Sequence, residues 1–202
     1  MTGIVLAGGH GRRLHRAKCT LLVGGEPLIA RVIAQVRPMV DRVTISASLI
    51  GPYQAYGLPV VADEYPGRGP LAGMHAAMTS HPDADYLVLA GDMPFVSRRI
   101  LDRLLTEWTK ADAEALVPLD AEGRPQPLQA IYAHCCAATI EQQVHAGQHR
   151  VTALLDAVRT RYLDVGPMAG CSFFNVNTPE ALQRAQEIAA RLSDTGQASE
   201  DG

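Results

Sequence analysis

Tyr86–Ala90 (YLVLA) is an unbroken apolar run with glycine and aspartate directly after it. A strand that is apolar on both faces must be covered on both faces, which is the situation of a central strand in a largely parallel sheet. Shorter β-branched runs recur around it: GIVL at 3–6, RVTIS at 42–46, PVVA at 59–62, and weaker ones at 115–118 and 128–132. Between them lie stretches with helical periodicity. Leu28, Ile29, Val32, Ile33, Val36 and Met39 share one face, and Pro27 opens that helix. Residues 70–80 begin with proline, Ser97 stands before a helix reaching about Trp108, and 134–145 and 152–158 read as helical. Thr178 caps a last helix that has Pro179 in its first turn. Strand–helix alternation of this kind predicts an α/β fold of three layers, α/β/α, around a mostly parallel sheet.

With 202 residues and 47% hydrophobic side chains, one domain with a sizeable core is expected. It spans residues 1–192; residues 193–202 are polar and read as a frayed tail. A formal net charge of −3 argues against a general nucleic-acid binder. No apolar run reaches the ~18 residues of a membrane span, and the first residues do not have the charged-then-apolar order of a signal peptide. Cys19, Cys135, Cys136 and Cys171 make no CxxC pair and no zinc spacing, so reduced thiols and a cytoplasmic location are expected.

One segment departs from this even composition. Residues 10–18 carry His10, Arg12, Arg13, His15, Arg16 and Lys18, and residues 1–18 contain no Asp or Glu. The charges follow the first strand immediately and are interleaved with Gly8, Gly9 and Gly11. Glycines let backbone N–H groups approach an anion, and Arg or Lys supplies the countercharge. The spacing is neither GxGxxG nor a P-loop, since Lys18 has no GK[ST] context. A tight turn bearing a solvated basic face is the alternative.

The stretch LAGGHGRRL at 6–14, with Lys18, Leu21-Leu22 and GEPL at 25–28, resembles the signature of the nucleotidyltransferases, and within them is most similar to the MobA-like family of molybdenum cofactor guanylyltransferases. GPLAG at 69–73, GDMPF at 91–95 and FNVNTPE at 174–180 match in order, and RPQPL at 124–128 resembles a further segment. The resemblance implies a Rossmann-like nucleotidyltransferase fold over about residues 3–185. It also implies transfer of GMP from GTP to the terminal phosphate of molybdopterin, with Mg2+ as cofactor, and transient contact with molybdenum-insertion or molybdoenzyme proteins. A relative using CTP or another phosphorylated acceptor, or a degenerate nucleotide-binding protein, is the alternative.

Roles follow residue by residue. The resemblance assigns the triphosphate to Gly8, Gly9, Arg13 and Lys18, and a metal to Asp92 at the end of the buried strand. Without the resemblance, Asp92 is equally well a turn cap. Asn177 aligns with a second metal ligand, or is a turn residue before Thr178. Asp63 matches an aspartate near the nucleotide, and Ser46 stands where the family more often has asparagine near the base. Leu6, Ala7 and Gly73 are expected to offer backbone contacts. Arg124, Gln126 and Arg150 are candidates for the polyanionic acceptor, because arginine forks match phosphate oxygens. The family loop usually has glycine where His15 stands and aspartate where Ala17 stands, so the loop's path and the setting of Lys18 are expected to differ locally.

Overall fold

A computed structural model describes residues 1–8, 17–63, 65, 68–82 and 84–197. Its centre is a seven-stranded sheet of strands β1 (Thr2–Leu6), β4 (Arg42–Ala47), β5 (Val60–Ala62), β6 (Tyr86–Ala90), β7 (Ala115–Leu119), β8 (Gln129–Tyr132) and β9 (Thr160–Asp164), in the order β5-β4-β1-β6-β8-β7-β9. A two-residue-stranded hairpin, β2 (Leu22–Val23) and β3 (Glu26–Pro27), stands apart from it. Gly24 and Gly25 form its turn at φ 60° and 80°, a conformation that side chains with a Cβ resist. In the main sheet β5, β4, β1 and β6 pair in parallel, and β8 runs against both β6 and β7. The parallel α/β architecture expected of the sequence is therefore present, with one reversed strand.

The pleat distributes the core. Ile4 and Leu6 of β1 and Tyr86 and Val88 of β6 face one layer; Val5, Leu87 and Leu89 face the other. The first layer contains α2 (Gly69–Thr79), α4 (Cys136–His145) and α5 (Val151–Ala157). The second contains α1 (Leu28–Val36) and α3 (Arg98–Trp108). Every residue from Leu71 to Met78 is buried, so α2 is enclosed all round, between the sheet and α4. A third cluster joins the hairpin to α6 (Pro179–Gln197) through Val23, Leu28, Phe95, Val176, Ala185 and Ala189.

Several local expectations change. Ser97 does not cap α3 with its hydroxyl; its carbonyl accepts the first helical bonds from Ile100 and Leu101, and its N–H donates to Ser172 Oγ at 2.9 Å. Thr178 does cap α6, accepting from the Ala181 N–H at 3.2 Å. The helix continues through Gln197, past the boundary expected at residue 192. Strand β9 is absent from the sequence reading because it lies at a sheet edge, where only Leu163 of TRYLD is buried. No helix among the described residues is long and apolar enough to cross a membrane.

Candidate active site

Loops at the carboxyl edge of the parallel strands are where open α/β sheets bind ligands. Three separated parts of the chain meet there. Lys18 opens a 3-10 turn (Lys18–Thr20) set by two bonds to the Ala17 carbonyl, from Thr20 N–H at 2.9 Å and Thr20 Oγ1 at 2.7 Å. Asp92 follows β6. Asn177 precedes α6 on a segment tied to β6 by the bond from Val176 N–H to the Asp92 carbonyl at 3.0 Å. The Lys18 ammonium donates to both Asp92 Oδ2 and Asn177 Oδ1. Lys18 and Asp92 are only 12% and 17% exposed, so this pair lies in a partly dry setting where charge interactions are strong.

The closeness of β1 and β6 at this edge depends on Gly91. Its N–H donates to the Leu6 carbonyl at 2.8 Å, and a Cβ on it would lie 3.1 Å from that oxygen and 3.2 Å from Cys19 Sγ. Arg31 of α1 binds the next segment. Its Nε donates to the Pro94 carbonyl at 3.2 Å and Nη1 to the Val23 carbonyl at 3.4 Å, and its guanidinium lies 5.7 Å over the Phe95 ring. Below the end of β1, Tyr53 donates its hydroxyl to the Ala7 carbonyl at 3.1 Å from a 3-10 segment, Gly51–Tyr56. Burial and the negative charge of Asp92 push the neighbouring Cys19 thiol up to about 12, so it is a neutral packing group.

The other predicted nucleotide residues line β1 and its neighbours. Gly8 is exposed. Gly9 and Arg13, with His15, lie outside the described residues. Ala7 has both backbone groups engaged, its N–H on the Ser46 carbonyl at 2.7 Å and its C=O on Tyr53. Ser46 is 1% exposed and its hydroxyl faces Gly73, where a Cβ would come within 2.9 Å. Gly73 therefore allows α2 to lie directly on β4. Ser48, two residues along the same strand direction, is partly exposed, and its Oγ lies 3.9 Å from where a Cβ on Gly8 would be. Asp63 follows β5 and accepts the Tyr65 N–H at 2.9 Å.

Of the acceptor candidates, Arg124 and Gln126 converge on Asp120, which is 6% exposed. Arg124 Nε and Gln126 Nε2 each donate to Asp120 Oδ2 at 2.8 Å, and Arg124 Nη2 donates to Glu122 at 2.6 Å. Burial of Asp120 favours its neutral form, but backbone and side-chain bonds from Arg124 and the Glu122 N–H outweigh it and hold the carboxyl below the ordinary carboxylate range. Arg150 is exposed at the start of α5, on the same edge of the sheet as Asp92.

Sequence reasoning did not find Arg31 or Tyr53. Arg31 had one signal, a cation beside the apolar stripe of α1. Tyr53 had none, because its partner is a backbone carbonyl 46 residues away.

Comparisons with known proteins bear on the family and the fold. Residues 3–162 match the family described as MobA-like NTP transferase domain. A probable molybdenum cofactor guanylyltransferase of Pelotomaculum thermopropionicum is 36% identical over 200 residues, covering 96% of each chain. The molybdenum cofactor guanylyltransferase of Rhizobium meliloti is 34% identical, covering 95% of this chain and 93% of its own. The crystal structure of molybdopterin-guanine dinucleotide biosynthesis protein A from Archaeoglobus fulgidus superposes with a TM-score of 0.81 at 30% identity, over 95% of this chain and all of that one. By fold and by these matches, the chain belongs to the MobA-like NTP transferase family.

Proposed function

We propose that this chain is a molybdenum cofactor guanylyltransferase, transferring GMP from GTP to the terminal phosphate of molybdopterin with release of pyrophosphate. The observation that carries the reading is the Lys18 ammonium held between Asp92 and Asn177 at the carboxyl edge of β6. In the transfer, a phosphate oxygen of the acceptor forms a bond to the α-phosphorus of GTP. The bond from that phosphorus to the β-phosphate bridging oxygen breaks, and pyrophosphate leaves with the electron pair. Two anions must be brought together, so positioning and charge neutralisation provide most of the acceleration.

The residues present fit a divalent metal. Asp92 and Asn177 provide oxygen donors that already share one cation, the Lys18 ammonium. Asp92 Oδ1 is buried with no hydrogen-bond partner among the described residues, as is Asn175 Oδ1 on the adjoining segment. No three His, Cys, Asp or Glu side chains cluster among the described residues, so substrate oxygens would complete the shell, the usual habit of Mg2+. Asp92 and Asn177 would hold the ion, which when bound would supply positive charge to offset that of the triphosphate. Lys18 and Arg13 hold the triphosphate beside Gly8 and Gly9. Leu6, Ala7, Ser46 and Gly73 fix the end of β1 beside the nucleotide, and Asp63 lies after β5. Arg150 faces the acceptor.

Pyrophosphate release measured with GTP, CTP and ATP, each with and without molybdopterin, tests the proposal. Release with GTP that requires molybdopterin is expected; faster turnover with CTP would sink the guanylyl assignment.

A further inference from the structure

Arg124 and Gln126 are occupied by Asp120, which leaves the question of what meets the second polyanion. The reversed strand β8 supplies an answer. It ends at the amino edge of the sheet, so α4 rises from there and delivers its last turn, with the turn into α5, to the same rim as Asp92. Helix α2 descends from that rim, and its first residues meet this turn: a Cβ on Gly69 would lie 2.8 Å from the His149 carbonyl. Three cationic or basic side chains, Arg68, His145 and Arg150, are exposed where these segments join.

Arg68 is set in place without a carboxylate. Its Nη1 donates to the Val144 carbonyl at 3.1 Å, and its guanidinium lies 5.4 Å over the ring of Tyr65. No acid pairs with it among the described residues. Its Nε–Nη2 edge, the side-on fork that fits two phosphate oxygens, makes no hydrogen bond among the described residues. The Tyr65 hydroxyl in turn bonds His145 Nε2 at 2.9 Å, and their rings meet edge to face at 5.8 Å. Gln148 Oε1 accepts the N–H groups of His149 and Arg150, at 3.0 and 3.1 Å, and so fixes the turn that carries Arg150.

We propose that Arg68 and His145, braced by Tyr65, form with Arg150 the docking rim for the acceptor's phosphate, and that Arg68 sets acceptor affinity. This rests on the transferase reading above. The ligand class is a phosphate monoester dianion carried on a larger ring system.

The test is the affinity of the full chain for molybdopterin, read anaerobically from pterin fluorescence, with GTP affinity measured by calorimetry. Arg68→Gln is expected to weaken molybdopterin about tenfold at low salt, with the difference shrinking as ionic strength rises. It leaves GTP affinity unchanged, and in turnover raises KM for the acceptor with kcat retained. Arg68→Lys keeps the charge but not the fork and is expected to fall between. His145→Ala, which spares the Arg68 bond to Val144, is expected to weaken the acceptor several-fold and serves if Arg68→Gln does not fold. Unchanged molybdopterin affinity in Arg68→Lys and His145→Ala overturns the rim while the transferase reading stands. Loss of GTP affinity instead would assign the rim to the triphosphate and overturn it equally. A wild-type chain that binds GTP and no molybdopterin overturns both.

Discussion

Asp92 is held in a position that does not suit an ordinary surface acid: one oxygen on a lysine, the other buried with no partner among the described residues. Replacement by Asn keeps the shape and removes the charge. Asp92→Asn is expected to lower kcat by at least about 100-fold, with the melting temperature retained, as checked by pyrophosphate release and circular dichroism. Tyr53 makes a contrasting case. Tyr53→Phe removes the bond to the Ala7 carbonyl and leaves a buried acceptor, at a cost of about 1–3 kcal/mol, read as a lower urea midpoint. Lys18, Asp92 and Asn177 each stand in a short motif of their own, which is why the sequence singles them out before the fold brings them together. Ser46 illustrates what was not legible. The resemblance sets it near the base; in the fold the pleat buries its hydroxyl against α2, and Ser48 is the partly exposed serine after it. One or two residues along a strand decide between core and site, and no local pattern distinguishes them here because β4 is buried on both faces.

Among the elements, α2 is the most constrained. It touches β4, β1, β5 and α4, and its approach to the sheet rests on Gly73. Gly73→Ala places a methyl 2.9 Å from Ser46 Oγ and 3.3 Å from Leu6 Cδ2. Because both neighbours are buried, the helix must move outward, and a destabilisation of about 1–3 kcal/mol is expected, read by thermal melting. Any displacement is passed to Leu6 at the end of β1, so on the proposed reading KM for GTP is expected to rise as well. Strands β1, β4, β5 and β6 and helices α1 and α2 were legible nearly to their ends, since their apolar runs are bounded by glycine or proline, whereas the short hairpin of β2 and β3 was not. Strand β9 and the 3-10 segments were not: the former is held mainly by backbone pairing at an edge, the latter by tertiary contacts such as that of Tyr53.

At the scale of the molecule, two buried thiols make stability depend on alkaline pH. Burial raises Cys19 and Cys136 from the ordinary 9.0 to about 12. Below about 9 both states hold these protons and stability is full. Between about 9 and 12 the unfolded chain releases them while the native one retains them, so stability falls as pH rises, by up to about 1.4 kcal/mol per pH unit for each thiol. Urea unfolding across pH 7–11 checks the sign, and a Cys19→Ala, Cys136→Ala variant is expected to lose this part of the slope. Alkylation of the native protein should label exposed Cys135 first and leave Cys19 and Cys136 untouched until unfolding.

The sheet's order also sets a schedule for synthesis. Strands β1, β4, β5 and β6 pair with one another within the first 90 residues, so this half of the sheet can pair while the ribosome is still adding the rest. Strand β7 cannot dock when it emerges, because its place is taken up only through β8, which arrives later. Asn177 comes later still, bringing the last partner of Lys18. On the proposed reading, Asp92 and Lys18 are made long before Asn177, and commitment to chemistry waits for nearly the whole message to be read.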